Sequence, residues 1–340
     1  WDMPVLYTSI IEEHNAVRTA AGIFDTSHMG TFIITGSNTA KFLDYVTISD
    51  MSGLPLHKAR YSMLLNKEGG IKDDIIVYRF EDCYMMVVNA GNLEKDFKWL
   101  NENLIDNVQI KNISSEISLI ALQGPKSVEI IPNIVEENVL LMKYFTCRDI
   151  KIKGLNKKIA KIARTGYTGE DGFELYFASE NGSQMWDMLL EAGKDEGLVP
   201  AGLGARDTLR FEVNLPLYGN ELSEFITPLE AGLGFFVKLD KKDFIGKISL
   251  LKQKKEGLKR KIIGFEMIDR GIPRKGYEVF KEDRKIGEVT TGYRSPSLKK
   301  NLGLALVNSS YSRLGTEIFV KIRGRLSLPY FLASSVTSRG

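Results

Sequence analysis

The chain has 340 residues, is 43% hydrophobic and 26% charged, and carries a formal net charge of +3. That length calls for more than one domain, and the composition is that of an ordinary folded protein. The near-balanced charge lacks the basic tract of a nucleic-acid binder. Cys83 and Cys147 are the only cysteines and show no Cys-x-x-Cys or Cys/His grouping of a zinc site or disulfide scaffold.

No apolar run approaches the ~20 residues of a membrane-spanning helix. The two thiols fit a reducing compartment, the cytoplasm of a prokaryote or an organelle matrix. The chain starts at Trp1 rather than Met, so a leader ahead of it is compatible with the sequence.

In chain order, Ile10, Ile11, His14, Val17 and Arg18 fall at helical spacing behind Ser9, a good amino-terminal cap. Gly30 to Gly36 reads as a strand bounded by glycines, and Ala40 to Val46 as a short helix. Tyr61–Leu65 and Asp74–Phe80 are predicted strands flanking Gly69-Gly70. Tyr84–Asn89 is a third strand and Asn92–Leu104 an amphipathic helix. Ile117–Leu122 is a buried strand that stops at Gln123-Gly124-Pro125, and Lys126–Ile131 can begin a helix. Strand signals run through Lys151 to Ala163, and a glycine-rich loop then delivers the strand Phe173–Phe177. Helices are predicted over Met185–Leu198 and Ala205–Val213.

Lysines cluster from Lys252 to Lys261, as a solvated helix face or linker. Beyond it come short strands at Ile262–Met267, Tyr277–Phe280, Ile286–Thr291, Gly303–Val307 and Ile318–Ile322, the pattern of a small β-barrel. The mixture of paired strands and separate helices indicates an α+β fold. The boundary is placed so that residues 1–255 form one region and 256–340 the barrel.

Within this frame a few segments carry chemistry. In Gly69-Gly70-Ile71-Lys72-Asp73-Asp74-Ile75-Ile76-Val77-Tyr78 alternation puts Asp74, Ile76 and Tyr78 on one strand face. Asp after Gly-Gly is ordinary turn chemistry; an acid and an aromatic on one face can equally line a pocket. In Gly172-Phe173-Glu174-Leu175-Tyr176, Glu174 and Tyr176 share the face opposite Phe173 and Leu175. Glu174 is a solvated strand residue or the partner of a guanidine-like edge, since a carboxylate accepts two parallel N–H bonds. Arg206 and Arg210 stand one helical turn apart after Gly202-Leu203-Gly204, as surface ion-pair partners or as a cationic anchor. Ser27-His28 reads as structural, because neighbours on a strand face opposite ways and form no nucleophile–base pair; Met29 offers a soft wall. Tyr293 to Asn301 is a basic loop.

Together these runs resemble the aminomethyltransferase family, the T-protein of the glycine cleavage system. The matching segments are Phe24–Gly30, Gly69–Asp74, Val88–Gly91, Ala121–Pro125, Thr165–Glu174, Ala201–Arg210, Asp243–Gly246 and Ser295–Asn301, in family order. The resemblance implies a three-lobed cloverleaf: two interleaved α+β lobes and a C-terminal β-barrel. It implies transfer of an aminomethyl group from the lipoyl arm of the H-protein to tetrahydrofolate, a co-substrate, with no metal. By the resemblance Asp74 is the essential carboxylate and Glu174 holds the pterin. Met29, Tyr61, Tyr78, Val87 and Asn89 line the folate pocket, and Arg206 is a site arginine. Phe235 stands where many relatives have tryptophan. Tyr330 is a candidate late aromatic in a tail that departs from the family after Leu328.

Relatives carry a further segment ahead of Trp1-Asp2-Met3-Pro4, so the first lobe is expected to be shortened. The acidic carrier is expected to dock on Arg294, Lys299 and Lys300. A folate-dependent demethylase of the same fold is an alternative reading. A folate-binding iron–sulfur assembly factor is another, although such proteins carry a cysteine where this chain has Arg164 to Glu170.

Overall fold

The computed structural model describes residues 3–155, 159–322, 325–327 and 329–332. The chain forms two compact units, residues 1–62 with 74–209 and residues 63–73 with 210–340.

The first unit opens with helix α1 (Ile10–Thr19), where the Ser9 side chain accepts from the Glu12 N–H and satisfies one of the helix's orphan donors. Strand β1 (Ala21–Asp25) and strand β2 (Gly30–Thr35) follow, then α2 (Thr39–Val46). Next come β3 (Ala59–Leu65), β4 (Ile71–Arg79), β5 (Tyr84–Val88), α3 (Leu93–Glu102), β6 (Gln109–Asn112) and β7 (Ile117–Gln123). The single turn α4 (Ser127–Ile130) precedes β8 (Cys147–Lys151), β9 (Ile159–Ala163), β10 (Gly172–Ala178), α5 (Gly182–Ala192), β11 (Leu198–Pro200) and α6 (Leu203–Glu212).

These strands form two sheets, ordered β11-β1-β7-β10-β9-β8 and β3-β4-β5-β2-β6. In the first, β11 runs parallel to β1, while β1, β7, β10, β9 and β8 pair antiparallel. One face of the six-stranded sheet packs Ile23, Leu122, Ile162, Phe173 and Leu175 against Met185 and Leu189 of α5. Its other face meets the five-stranded sheet in a second core, with Leu119, Ala163 and Tyr176 on one side and Tyr78, Met85 and Val87 on the other. Strand β10 is therefore buried on both faces.

The second unit holds α7 (Lys247–Glu256) and the strands β12 (Arg260–Met267), β13 (Glu278–Lys281), β14 (Arg284–Arg294), β15 (Asn301–Asn308), β16 (Phe319–Ile322), β17 (Arg325–Ser327) and β18 (Pro329–Leu332). They make one seven-stranded sheet, β17-β16-β13-β14-β15-β12-β18, around Ile263, Phe265, Val279, Val289, Ala305 and Val320. The architecture is two α+β lobes and a barrel-like C-terminal sheet. Beside its middle strand β14 the buried pair Arg210–Glu221 closes at 2.8 Å, with Glu221 accepting from Thr290 and Thr291.

The β3–β4 connection explains the glycine pair. Gly69 has φ +88, a left-handed conformation open to glycine at no steric cost. A Cβ on Gly70 would lie 1.9 Å from the Glu224 carbonyl oxygen. Asn66, not an aspartate, closes the turn by accepting from the Gly70 N–H at 2.8 Å. Asp73 and Asp74 are already the third and fourth residues of β4.

Several boundaries differ from the sequence pattern. The helix predicted to Leu198 stops at Ala192, because Gly193 follows and Gly197 takes a left-handed φ of 73 before Leu198 turns into a strand beside Ala21. The stretch Lys151–Ala163 is the end of one strand and the whole of another. Strands β1 and β6 escape the pattern: Ala-Gly-Ile-Phe-Asp is too small for a β signal, and Gln-Ile-Lys-Asn is a polar edge. The lysine cluster overlaps α7, whose Leu250 alone is buried.

Candidate active site

Asp74 is half-buried on β4, between the fully buried Asp73 and Ile75. The pairing of Ile76 with Val87, continued two residues, sets Asn89 opposite Asp74. The Asn89 Nδ2 donates to Asp74 Oδ1 at 2.8 Å and to the Asp74 carbonyl at 3.2 Å. From β3 the Tyr61 hydroxyl donates to Asp74 Oδ2 at 3.1 Å. Both carboxylate oxygens thus accept from neutral donors on the neighbouring chain segments, which fixes the orientation of the group.

Tyr78 lies four residues further on, about 13 Å along the strand at ~3.3 Å per residue. Its ring has no solvent exposure and packs edge-on against Tyr176, centroids 5.7 Å apart. What Tyr78 offers the site is its hydroxyl, which donates to Glu174 Oε2 at 3.1 Å. Tyr176 donates to Tyr78 at 2.9 Å, and Thr165 donates to the same Oε2 of Glu174. Burial first, and then the Glu174 charge, raise both tyrosine hydroxyls well above their usual pKa, so both keep their protons. Glu174 is half-buried, and among the described residues no side chain or backbone N–H donates to Oε1.

Val87 and Met29 pack in the core beside these groups. Arg206, near the start of α6, stacks its guanidinium 4.4 Å from the Tyr167 ring centroid, a cation–π contact that fixes a long side chain. His28 is not on a strand: Thr26–Met29 is the turn joining β1 of one sheet to β2 of the other. Burial, and then the Arg206 charge, lower its pKa against the opposing pull of Asp25. Ser27 is tied to the Leu119 backbone, accepting from its N–H at 3.0 Å. Neither residue is set up as a nucleophile.

The thiols are equally inert, since burial pushes Cys83 up to about 11 and Cys147 up to about 12. Among the described residues no group of three or more His, Cys, Asp or Glu is placed to hold a metal.

Two predicted residues belong to the second unit. Phe235 is 83% exposed on the short turn Gly234–Phe236. It lines a groove of about 720 Å³ with Leu229, Val237, Leu239, Lys254 and Lys261. The backbone of Tyr330 pairs with Glu266, but its side chain lies outside the described residues. Of the expected docking residues, Arg294, Lys299 and Lys300 are exposed, with Lys300 paired to Glu266 at 2.9 Å.

A site of this kind offers one oriented carboxylate for proton movement and a second one for recognising N–H groups. Comparison with known proteins gives the family. The profile of the GCVT N-terminal domain matches residues 1–241, and that of the glycine cleavage T-protein C-terminal barrel domain matches residues 260–330. The chain belongs to the aminomethyltransferase family, the glycine cleavage T-proteins.

The aminomethyltransferase of Caldanaerobacter subterraneus subsp. tengcongensis is 55% identical over 328 residues, 96% of this chain and 87% of its own length. That of Halalkalibacterium halodurans is 48% identical over 342 residues, 100% of this chain and 93% of its own. The crystal structure of the glycine cleavage aminomethyltransferase T from Bartonella henselae superposes with a TM-score of 0.92 at 31% identity, covering 99% of this chain and 92% of that one. The chain is therefore an enzyme that transfers an aminomethyl group to tetrahydrofolate.

The candidate site includes side chains to which the sequence pattern gave no role. Tyr176 was visible as the residue sharing a face with Glu174. Tyr167 sits between Gly166 and Gly169 in a loop whose conformation no local pattern gives. Thr165 is positioned from behind: Gln123 Nε2 donates to its carbonyl at 3.2 Å, and Thr168 donates to Gln123 Oε1 at 2.9 Å.

Proposed function

We propose that the aminomethyl donor is the lipoyl arm of an H-protein and that tetrahydrofolate binds in the first unit, its pterin on Glu174 and its reacting edge toward Asp74. The observation that carries this reading is the pair of half-buried carboxylates, Asp74 on β4 held by Asn89 and Tyr61, and Glu174 on β10 held by Thr165 and by Tyr78 from that same β4. Glu174 presents Oε1 as a bare acceptor, whose two lone pairs can take the N–H groups of a pterin edge.

Tetrahydrofolate, when bound, supplies the N5 nucleophile, and the products are methylenetetrahydrofolate, ammonia and the dihydrolipoyl arm. The chain's own contribution is mostly placement. Holding two reactants in register is worth roughly 7–11 kcal/mol at best. Asp74 adds proton transfer at a carboxylate that Asn89 and Tyr61 prevent from rotating, typically about 10²–10⁴ in rate. Arg206, pinned on Tyr167, closes the polar end of the pocket. Exposed Arg294 and Lys299 are the docking residues for an acidic carrier.

The test is ammonia release from aminomethyl-loaded H-protein with and without tetrahydrofolate. Folate-dependent release supports the reading. Release of formaldehyde from a methylated small amine, with no reaction on loaded H-protein, would replace it with the demethylase reading.

A further inference from the structure

Three hydroxyls converge on Glu174, and their protons can be assigned. Thr165 donates to Oε2, and Tyr78 donates to the same oxygen at 3.1 Å. Tyr176 has one proton and two acceptors in reach, Tyr78 at 2.9 Å and Glu174 Oε2 at 3.4 Å. The shorter contact takes it. The contact of 3.3 Å between Tyr78 and Thr165 then has no proton to use, because both hydroxyls have spent theirs on the carboxylate. The chain of donors runs Tyr176 to Tyr78 to Glu174, with Thr165 arriving from the other side.

The protons of Tyr78 and Thr165 point at Oε2, and that of Tyr176 points at the Tyr78 oxygen. The tyrosines are 0% and 3% exposed and Thr165 is 5% exposed, so water does not compete for these bonds. Tyr78 comes from the five-stranded sheet, Glu174 and Tyr176 from the six-stranded sheet, and Thr165 from the turn after β9. The carboxylate is clamped from two other segments, with Tyr176 of its own strand backing the Tyr78 hydroxyl.

We infer that Tyr176 and Thr165 are positioning residues that saturate Oε2 and so make Oε1 of Glu174 a dedicated acceptor for the N–H edge of the bound heterocycle. This rests on the reading of Glu174 as the pterin acceptor. It goes beyond that reading in assigning selectivity: the site takes a ring that donates protons to Oε1 and rejects one that lacks them, because every hydroxyl proton of the cluster is already committed and none is free to turn outward. A site of fixed polarity leaves buried groups unpaired when the partner proton is missing, which discriminates strongly.

The test measures kcat and KM for tetrahydrofolate, and for an analogue lacking the 2-amino group, in wild type and in Tyr176→Phe, Thr165→Val, Thr165→Ser and Glu174→Gln. Tyr176→Phe should raise the folate KM about 3- to 10-fold with kcat unchanged, the loss of one neutral hydrogen bond once removed from the carboxylate. Thr165→Val should raise it about 10-fold or more, as for a bond made directly to a charged group, and Thr165→Ser should restore it. Both impaired variants should narrow the preference for tetrahydrofolate over the 2-desamino analogue.

A purely structural role would lower kcat and thermal stability together and leave the analogue ratio untouched; that result overturns the inference. If Glu174→Gln raises KM while Tyr176→Phe and Thr165→Val leave KM and ratio alone, the inference fails and the pterin assignment stands. If Glu174→Gln itself leaves KM unchanged, the assignment of Glu174 fails first.

Discussion

Asp74→Asn separates chemistry from binding at this site. Asparagine has the same shape, and its Oδ1 still accepts from Asn89 Nδ2, now at 2.8 Å from the aspartate oxygen it replaces. Its new amide nitrogen faces the Tyr61 hydroxyl, 3.1 Å from Oδ2 in the native chain. A phenol both donates and accepts, so Tyr61 turns its proton away and accepts from the amide. The local geometry survives and only the charge is lost.

The expected result is a fall in kcat of about 10²–10⁴, which is about 3–5 kcal/mol of barrier at 1.36 kcal/mol per tenfold. The dissociation constant for tetrahydrofolate should stay within about threefold, and thermal stability should be unchanged. The assay is folate-dependent ammonia release under single-turnover conditions, with folate affinity measured separately by calorimetry. A rate loss below tenfold, or a loss wholly matched by weaker folate binding, would refute the assignment of Asp74 to proton movement.

Tyr61→Phe removes the hydroxyl that donates to Asp74 Oδ2 and should cost up to about tenfold in kcat, of the order of one hydrogen bond, read in the same assay. Glu221→Gln removes the buried anion that pairs with the fully buried Arg210 and accepts from the hydroxyls of Thr290 and Thr291. The expected destabilisation is about 3–5 kcal/mol, seen as a lower urea midpoint. Tyr78 and Tyr176 titrate higher folded than unfolded, so their stabilisation is complete below pH ~10 and is lost above it. Each adds a slope of about 1.4 kcal/mol per pH unit there; Tyr176→Phe should flatten alkaline unfolding curves by one such increment. Lys299→Glu should raise the KM for H-protein and leave folate binding alone, and unchanged carrier kinetics would remove that loop from the docking surface.

The sequence by itself determined the residues and their faces. Two-residue periodicity put Asp74 with Tyr78, and Glu174 with Tyr176, because side chains on a strand have no other choice. Ser9 announced the first helix, and ordered motifs spread over most of the chain carried the family. Tertiary structure decided what those faces meet. That Asn89 stands opposite Asp74 depends on strand register, and that Tyr78 of one sheet reaches Glu174 of another depends on how two sheets pack. Neither relation is local in the chain.

The same holds for Arg206 and Arg210, one turn apart and alike in sequence. The first stacks on Tyr167, while the second is buried with Glu221. Local pattern fixes direction within an element; which oxygen each hydroxyl serves is settled only when segments nearly a hundred residues apart, such as Tyr78 and Glu174, close on one another.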